Sequence, residues 1–440
     1  MQNSDEKKVD RRSFLQAAGA VAGTAFASSA LSYGRILGAN DRIALGHIGI
    51  GNRGGQLHRM ASRLKDKYNV ETVAVCDLWT ANRERAAADA ARYYGRAPRA
   101  VQHPEELLAM REVDAVLIAT PEHSHSPLLE AAVEAGKHTY CEKPMGNVLE
   151  EVKAARDAVK SRNLVVQIGT QHRSEPYQLA AREVLRTGVL GDVSKYEIVW
   201  NYNGPRWRGR PQVKQIREPD TDWKAWLRTK PYRPFDPQLY FEFRLYREFS
   251  SGIPDQWMSH GIDLVHFYMN EQPRSVVAHG GVFAWHDGRE NPDTFQALFE
   301  YPSFLVSYAT SFGNDCDSFS RIMGKKATLV NIGGEGSPRW KVVQEKGNHE
   351  DNPAVERPER WVTLPGDDKP GPINIGDEDL SHMSNWFDCL RSGNTRTNAT
   401  VDHGFLHAVA CIMAAQSYWQ GKRLYYDAKG ERITDSAPAS

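Results

Sequence analysis

The sequence predicts an α/β protein in two parts, an N-terminal doubly wound parallel sheet followed by an α+β domain with an open, largely antiparallel sheet. Three observations carry this. From residue 42 to residue 169, short apolar strands alternate with helical stretches, the rhythm of βαβ units. The first strand runs directly into Gly49-Ile50-Gly51-Asn52-Arg53-Gly54, a G-x-G-x-x-G turn. After residue 171 the strands lengthen and alternate with period two, the pattern of antiparallel sheets covered on one face.

In chain order, strands are expected at 42–49, 70–76, 113–120, 138–141 and 164–168. The helix after the glycine turn rests on Leu57, Met60, Ala61, Leu64 and Tyr68, whose intervals of three and four line one face. Further helices are expected at 83–93, 126–135 and 149–160, lengths that suit right-handed crossovers. The second part opens with a helix at 175–187. Strands at 193–202, 275–285, 294–300 and 304–310 follow, then helices near 379–391 and 403–420. Residues 40–169 thus form one domain and 170–430 another, and 431–440 reads as a frayed tail. Between 203 and 246 lies an irregular insertion rich in Trp, Tyr, Phe and Arg, too aromatic for disorder. Its rings suit the C–H faces of sugars, and Arg206, Arg208 and Arg210 suit hydroxyls or an acidic group. A packed lid or subunit contact explains it equally well.

The glycine turn is a dinucleotide cradle. Gly49 permits the tight turn, Gly51 lets the backbone approach a pyrophosphate, and Gly54 lets the next helix pack with its N-terminal amides toward the phosphates. Asn52 and Arg53 sit within the same cradle. Asp77 ends the second strand, where a carboxylate accepts hydrogen bonds from ribose hydroxyls and repels a 2′-phosphate; that favours NAD. Arg53 and Arg83 are near enough in sequence to leave NADP open.

Lys plus Arg (55) balances Asp plus Glu (55), so no global field favours nucleic acid or a membrane surface. The N-terminus carries a different message. Asp10-Arg11-Arg12-Ser13-Phe14-Leu15, followed by an Ala-, Gly- and Ser-rich run from 17 to 31, reads as a twin-arginine signal peptide with a linker to residue 39. The run is too short and too weakly apolar for a membrane anchor. The expectations are the twin-arginine export machinery as a partner and a periplasmic or otherwise exported location. Because this route carries folded proteins, a nucleotide could be loaded beforehand, which implies tight binding and regeneration in place. Five scattered cysteines, Cys76, Cys141, Cys316, Cys389 and Cys411, form neither a disulfide framework nor a zinc spacing.

The third nucleotide-facing loop, Thr120-Pro121-Glu122-His123-Ser124-His125, follows a strand's carboxyl end, and one βα step later comes Glu142-Lys143-Pro144 after Ala135-Gly136-Lys137-His138. With the glycine turn, these motifs resemble the glucose–fructose oxidoreductase/inositol dehydrogenase (Gfo/Idh/MocA) superfamily, over nearly the whole chain from residue 42. The resemblance implies a Rossmann domain with Thr120, Pro121, His123, His125 and Glu142 beside the cofactor. It implies that Lys143 faces the nicotinamide and the substrate hydroxyl, where an ammonium stabilises a developing alkoxide.

The same resemblance aligns Gln256-Trp257-Met258-Ser259-His260-Gly261-Ile262-Asp263 with the family's Asp-x-Gly-x-His-x-x-Asp. His260 and Asp263 match. The first Asp is replaced by Gln256, so His260 is the expected general acid/base, with Asp263 and Asp255, one residue out of register with the missing carboxylate, as the other catalytic candidates. His260, Asp263 and His266 also form H-x-x-D-x-x-H, a poor spacing for a metal, and none is expected. Gln171 is expected beside the cofactor or substrate, and Arg173, Tyr177 and Trp223 beside the substrate; Gln171 and Arg173 could instead hold the domain interface.

The function implied is an exported oxidoreductase that takes hydride from a hydroxyl of a sugar, inositol or related polyol. One alternative is a redox-neutral, NAD-dependent glycoside hydrolase, against which the intact Lys143 counts. Another is a non-catalytic sugar or nucleotide sensor, kept open by Gln256. An open sheet with an uncovered face predicts a homodimer or homotetramer.

Overall fold

The computed structural model of the chain describes residues 41–206, 211–333, 339–345, 359–365 and 377–438. The expected signal segment, 1–39, lies outside them, as do Arg208 and Arg210.

The first sheet has six parallel strands, β1 (Ile43–Ile48), β2 (Val70–Cys76), β3 (Arg99–Val101), β4 (Ala115–Ile118), β5 (His138–Cys141) and β6 (Val166–Ile168), in the order β3-β2-β1-β4-β5-β6. All residues of β1 and β4 are buried, as a strand covered on both faces requires. The order reverses between β1 and β4, and open sheets place their ligands at the carboxyl ends there. The short β3 was not expected; two of its three residues are exposed and it has no apolar run to betray it. Helices α1 (Asn52–Arg63), α2 (Thr80–Tyr94), α3 (His125–Glu134) and α4 (Leu149–Lys160) connect these strands.

After α5 (Pro176–Arg186), the second sheet is built from β7 (Val193–Val199), β9 (Ser275–Gly281), β10 (Thr294–Glu300), β11 (Leu305–Ser311), β13 (Phe319–Gly324), β14 (Ala327–Asn331), β15 (Trp340–Gln344), β16 (Arg360–Trp361), β17 (Leu424–Asp427) and β18 (Arg432–Thr434). A small ribbon pairs β8 (Tyr202–Asn203) with β12 (Gly313–Asn314). The large sheet runs β16-β15-β14-β13-β7-β11-β10-β9-β17-β18, and only β7 and β11 pair in parallel. Inward residues such as Phe295, Ala297 and Phe299 alternate with outward Gln296 and Leu298. The covered face packs against α6 (Ser259–Met269) and α8 (Val401–Gln420).

Two expectations are corrected here. Helix α7 (Asp377–Ser392) belongs by packing to the first domain: Met383, Trp386, Phe387 and Leu390, spaced at three and four, cover Leu45, Leu57, Tyr68 and Tyr140. Its amphipathic stripe is legible in sequence, but not which sheet it covers. Within the tail, Arg432–Thr434 form β18, antiparallel to β17, and Glu431 accepts from Arg156 Nη1 and Nη2 at 2.5 and 2.8 Å. The two domains also meet where Gly404 of α8 leaves no room for a side chain; a Cβ there would stand 2.7 Å from Ile168 and 3.0 Å from Met145.

Candidate active site

A cleft of about 1150 Å³ runs along the carboxyl ends of β1, β2, β4 and β5 and continues beneath the second domain. At its phosphate end, Gly49 has φ +80, and a Cβ would strike Thr120 and the Ala119 carbonyl at 2.7 and 2.9 Å. Gly54 is demanded by packing, since a Cβ would fall 2.0 Å from the Gly49 oxygen. Gly51 differs. A Cβ there would meet nothing nearer than Asn82 Nδ2 at 3.9 Å, so that backbone is open to the cleft, as a pyrophosphate needs at the N-terminus of α1. This chain's own backbone therefore fits a dinucleotide.

Asp77 lines the cleft and also shapes it: Oδ2 accepts from the Ile50 amide (2.8 Å) and Asn82 (3.2 Å), and Oδ1 from the Trp79 amide (3.0 Å). Oδ2 thus has both lone pairs engaged, and Oδ1 keeps one for a ribose hydroxyl. Burial raises its pKa, against the pull of these donors. The arginines considered for a 2′-phosphate are engaged elsewhere. Arg83 donates to the Asp77 carbonyl (2.7 Å) and Thr80 Oγ1 (3.2 Å), while Arg53 bridges Glu142 (2.7 Å) and Asp379 of α7 (2.7 and 3.0 Å). Arg85, which sequence reasoning overlooked, lines the cleft and donates to the Ile50 carbonyl at 2.6 Å.

Thr120, Pro121, His123, His125 and Gln171 all line the cleft. The His125 ring sits between the carbonyls of Pro144 and Thr120, each 2.7 Å away, and so ties the Thr-Pro loop to the Glu-Lys-Pro loop. His123 Nε2 donates to the Trp226 carbonyl at 3.0 Å, and burial pushes its pKa down to about 3, so the ring is neutral. Trp226 belongs to the aromatic insertion, which folds across the nucleotide loops. Trp79 is buried against Ile216, Trp226, Leu239 and Tyr240, meets Phe241 edge-on at 5.2 Å, and its neighbour Thr80 donates to the Asp220 carbonyl at 3.1 Å. The insertion is thus a wall of the cofactor cleft. Trp223, expected at the substrate, is instead inside that wall, stacked on Trp226 and donating its indole N–H to the Arg233 carbonyl.

At the inner end, Lys143 Nζ donates to the Gln256 carbonyl at 2.6 Å. Burial lowers its pKa to about 8, although Glu142 and Glu122 pull the other way. Glu142 accepts from Arg53 through Oε1 and from the Lys143 amide (3.1 Å) through Oε2. His260 lines the same end, its Nδ1 buried without a hydrogen-bond partner and its ring 5.0 Å from His172. Burial, then the Lys143 charge, holds its pKa well below the usual histidine range, so the ring is neutral. Trp200 and Trp257, stacked at 4.5 Å, form an aromatic wall, with Arg206 4.5 Å over the Trp257 ring.

Besides Trp223 and the packing glycine Gly54, four expected site residues, Arg173, Asp263, Asp255 and Tyr177, do not line this cleft. Arg173 and Asp263 are paired with each other, Nε to Oδ2 at 2.7 Å and to Oδ1 at 2.9 Å, both nearly inaccessible; of the two roles open to Arg173, this is the interface one. Asp255 is fully buried behind the cleft, Oδ2 accepting from the Ser251 amide, and desolvation followed by Glu122 raises its pKa to about 7. Tyr177 is buried in α5. His266, the last member of H-x-x-D-x-x-H, is 2.9 Å from the Tyr301 hydroxyl. Conversely, Glu122, Arg244, Trp200 and Trp257 line the cleft without having been singled out. Glu122 and Trp257 fall at positions that the motifs leave unspecified, and no local pattern marks the other two.

Two family sequence models match the chain, one described as oxidoreductase family, NAD-binding Rossmann fold, over residues 43–170, and one as its C-terminal alpha/beta domain, over 227–426. Inositol 2-dehydrogenase of Rhizobium meliloti is 28% identical over 66% of this chain and 68% of that protein. Levoglucosan dehydrogenase of Pseudarthrobacter phenanthrenivorans is 36% identical over 25% of this chain and 28% of its own length. A glycosyl hydrolase family 109 protein of Shewanella baltica is 28% identical over 50% and 51%. A solved levoglucosan dehydrogenase in complex with NADH superposes with a TM-score of 0.65 at 20% identity, covering 91% of this chain and all of that one, a likeness of fold. The models match in order across both walls of the cleft, and the chain belongs to the Gfo/Idh/MocA family as an NAD-binding oxidoreductase.

Proposed function

We propose that this oxidoreductase removes hydride from a hydroxyl of a sugar, inositol or related polyol, using an NAD that it holds tightly. The observation that carries the reading is the meeting of a Lys143 ammonium and a neutral His260 at one end of the nucleotide cleft, beside the Trp200–Trp257 wall. Bound NAD would supply the hydride acceptor. Gly49, Gly51, Asn52, Arg53 and Asp77 would hold it, with Thr120, Pro121, His123, His125, Glu142 and Gln171 along its length. Lys143 would donate to the substrate oxygen as negative charge develops there, and His260 would accept the hydroxyl proton. The aromatic wall suits the C–H face of a sugar ring. The named activities of the inositol and levoglucosan relatives support the same substrate class.

Tight retention is supported by the insertion packed over Trp79 and Thr80, and it fits the twin-arginine signal expected at residues 1–39 and hence an exported enzyme. A homodimer or homotetramer through the outer sheet face is supported by Leu298 and Leu305, adjacent strands' side chains that are 44% and 43% exposed. A redox-neutral glycoside hydrolase remains the second reading because the family 109 relative matches half of the chain.

The deciding experiment denatures protein purified without added nucleotide, identifies what is released by mass spectrometry, and offers the intact protein inositol, levoglucosan and aryl glycosides. Released NAD with nicotinamide reduction by a polyol supports the dehydrogenase. Aryl glycoside cleavage without net reduction establishes the hydrolase instead, and absence of nucleotide with no rebinding overturns both.

A further inference from the structure

Glu122 belongs to the Thr-Pro loop at the end of β4 and lies on the wall of the cleft, 2% exposed. Its Oε1 accepts from the side-chain amide of Gln256 and faces Arg244 Nε at 3.3 Å. Its Oε2 is buried with no hydrogen-bond partner. Buried carboxylate oxygens are almost always paired, so one without a protein donor, on a residue of the cleft wall, calls for a donor from outside the chain. The same Gln256 accepts from Lys143 Nζ through its backbone carbonyl. One residue therefore bridges the ammonium and the carboxylate, and places a pure acceptor next to the group that holds the reacting hydroxyl. Gln256 stands where the family segment has a carboxylate, and its amide recruits one from the opposite domain. Asp255, the neighbouring carboxylate, is fully buried and does not line the cleft.

We propose that Glu122 Oε2 accepts a hydrogen bond from a second substrate hydroxyl, on the carbon next to the one being oxidised, so that the site selects a vicinal diol. This rests on the polyol-oxidation reading above. Arg244 balances the carboxylate charge, and Gln256 fixes its direction.

The test uses NAD-loaded wild type, Glu122→Gln and Glu122→Asp, with nucleotide content confirming that each variant folds. Glucose, levoglucosan and their monodeoxy analogues are the probes, read as kcat and KM for nicotinamide reduction. Wild type should lose about 10- to 100-fold in kcat/KM on the one analogue that lacks the neighbouring hydroxyl, as expected for a charge-assisted hydrogen bond. Glu122→Gln should lose a similar factor on the parent sugar, chiefly through KM, and almost nothing further on that analogue. Equal losses on parent and analogue overturn the diol contact and leave polyol oxidation standing. A wild type inert toward every sugar, no better than Lys143→Ala, overturns the oxidation reading and the diol together.

Discussion

Lys143 Nζ, on the loop after β5, donates at 2.6 Å to the backbone carbonyl of Gln256, one turn ahead of α6. The two domains thus fix the ammonium jointly, and its position reports on their docking. Substitution by Ala should lower kcat by about 10²- to 10⁴-fold, the usual range for a positioned acid–base group, while leaving nucleotide bound. Single-turnover reduction of the loaded enzyme checks this. Full activity would remove Lys143 from the chemistry.

The alkaline limb of the pH profile should belong to the same residue. Burial lowers Lys143 to about 8, and Glu142, Glu122, Arg244 and Arg53 are the charges around it. If the protonated form donates to the substrate oxygen, kcat/KM declines as pH rises through about 8. Lys143→Arg should remove that limb, because a guanidinium keeps its proton far above this range. His260, held well below the usual histidine value, should contribute no limb between the acid range and that decline. A limb at an ordinary histidine pKa of about 6.5, lost in His260→Ala, would contradict the buried neutral ring.

Cofactor retention should depend on the aromatic insertion. Buried Trp79 and half-buried Phe241 meet across the seam between the nucleotide loop and the insertion, and fully burying one large apolar side chain is worth roughly 1.5 to 3 kcal/mol. Trp79→Ala should therefore accelerate NADH release by about one to two orders of magnitude, with the chemical step little changed. Stopped-flow displacement of NADH measures this. An unchanged release rate would mean that the insertion contributes nothing to retention.

Asp77 carries the cofactor preference. Removing its carboxylate takes away the ribose acceptor and the repulsion toward a 2′-phosphate, and it also frees the Ile50 and Trp79 amides. Asp77→Ala should weaken NAD more than NADP and narrow their affinity ratio, as isothermal titration of the stripped protein would register. Arg85 stands in the cleft to meet a 2′-phosphate once the carboxylate is gone.

Much of this arrangement was legible in the chain. The glycine turn, the carboxylate after β2 and the two loop motifs specify the nucleotide half, because backbone geometry and contiguous residues build it. The substrate half was read only in part. Lys143 and His260 sit in contiguous motifs and both reach the cleft, whereas Arg173 and Tyr177 were expected at the substrate from the resemblance and Trp223 from the aromatic content of its insertion, neither of which tells where a side chain points. A helix neighbour of a cleft residue points elsewhere as often as not. Glu122 and Gln256 are 134 positions apart, and nothing local tells that their side chains meet. The same holds for α7, whose apolar stripe fits either sheet.

The Arg173–Asp263 pair is a structural test of the domain seam. Both partners are nearly inaccessible, and Asp263 also faces His407 at 3.8 Å. Burial alone would raise the Asp263 pKa; Arg173 and His407 outweigh it and hold the carboxyl well below the usual range. A depressed carboxylate stabilises the fold above its unfolded pKa and loses that contribution as pH falls through its folded value. Asp263→Asn should therefore cost about 3 to 5 kcal/mol near neutrality by leaving a buried guanidinium unpaired. The deficit relative to wild type should shrink only in strong acid, below the unfolded value of about 3.9. Replacing both partners, as in Arg173→Met with Asp263→Leu, should recover most of the loss, since two apolar side chains of similar size need no countercharge. Denaturant titration of the three proteins at several pH values decides it. If the single variant is as stable as wild type, the pair is not what holds this seam; if the double variant is as unstable as the single, the loss comes from packing rather than from an unpaired charge.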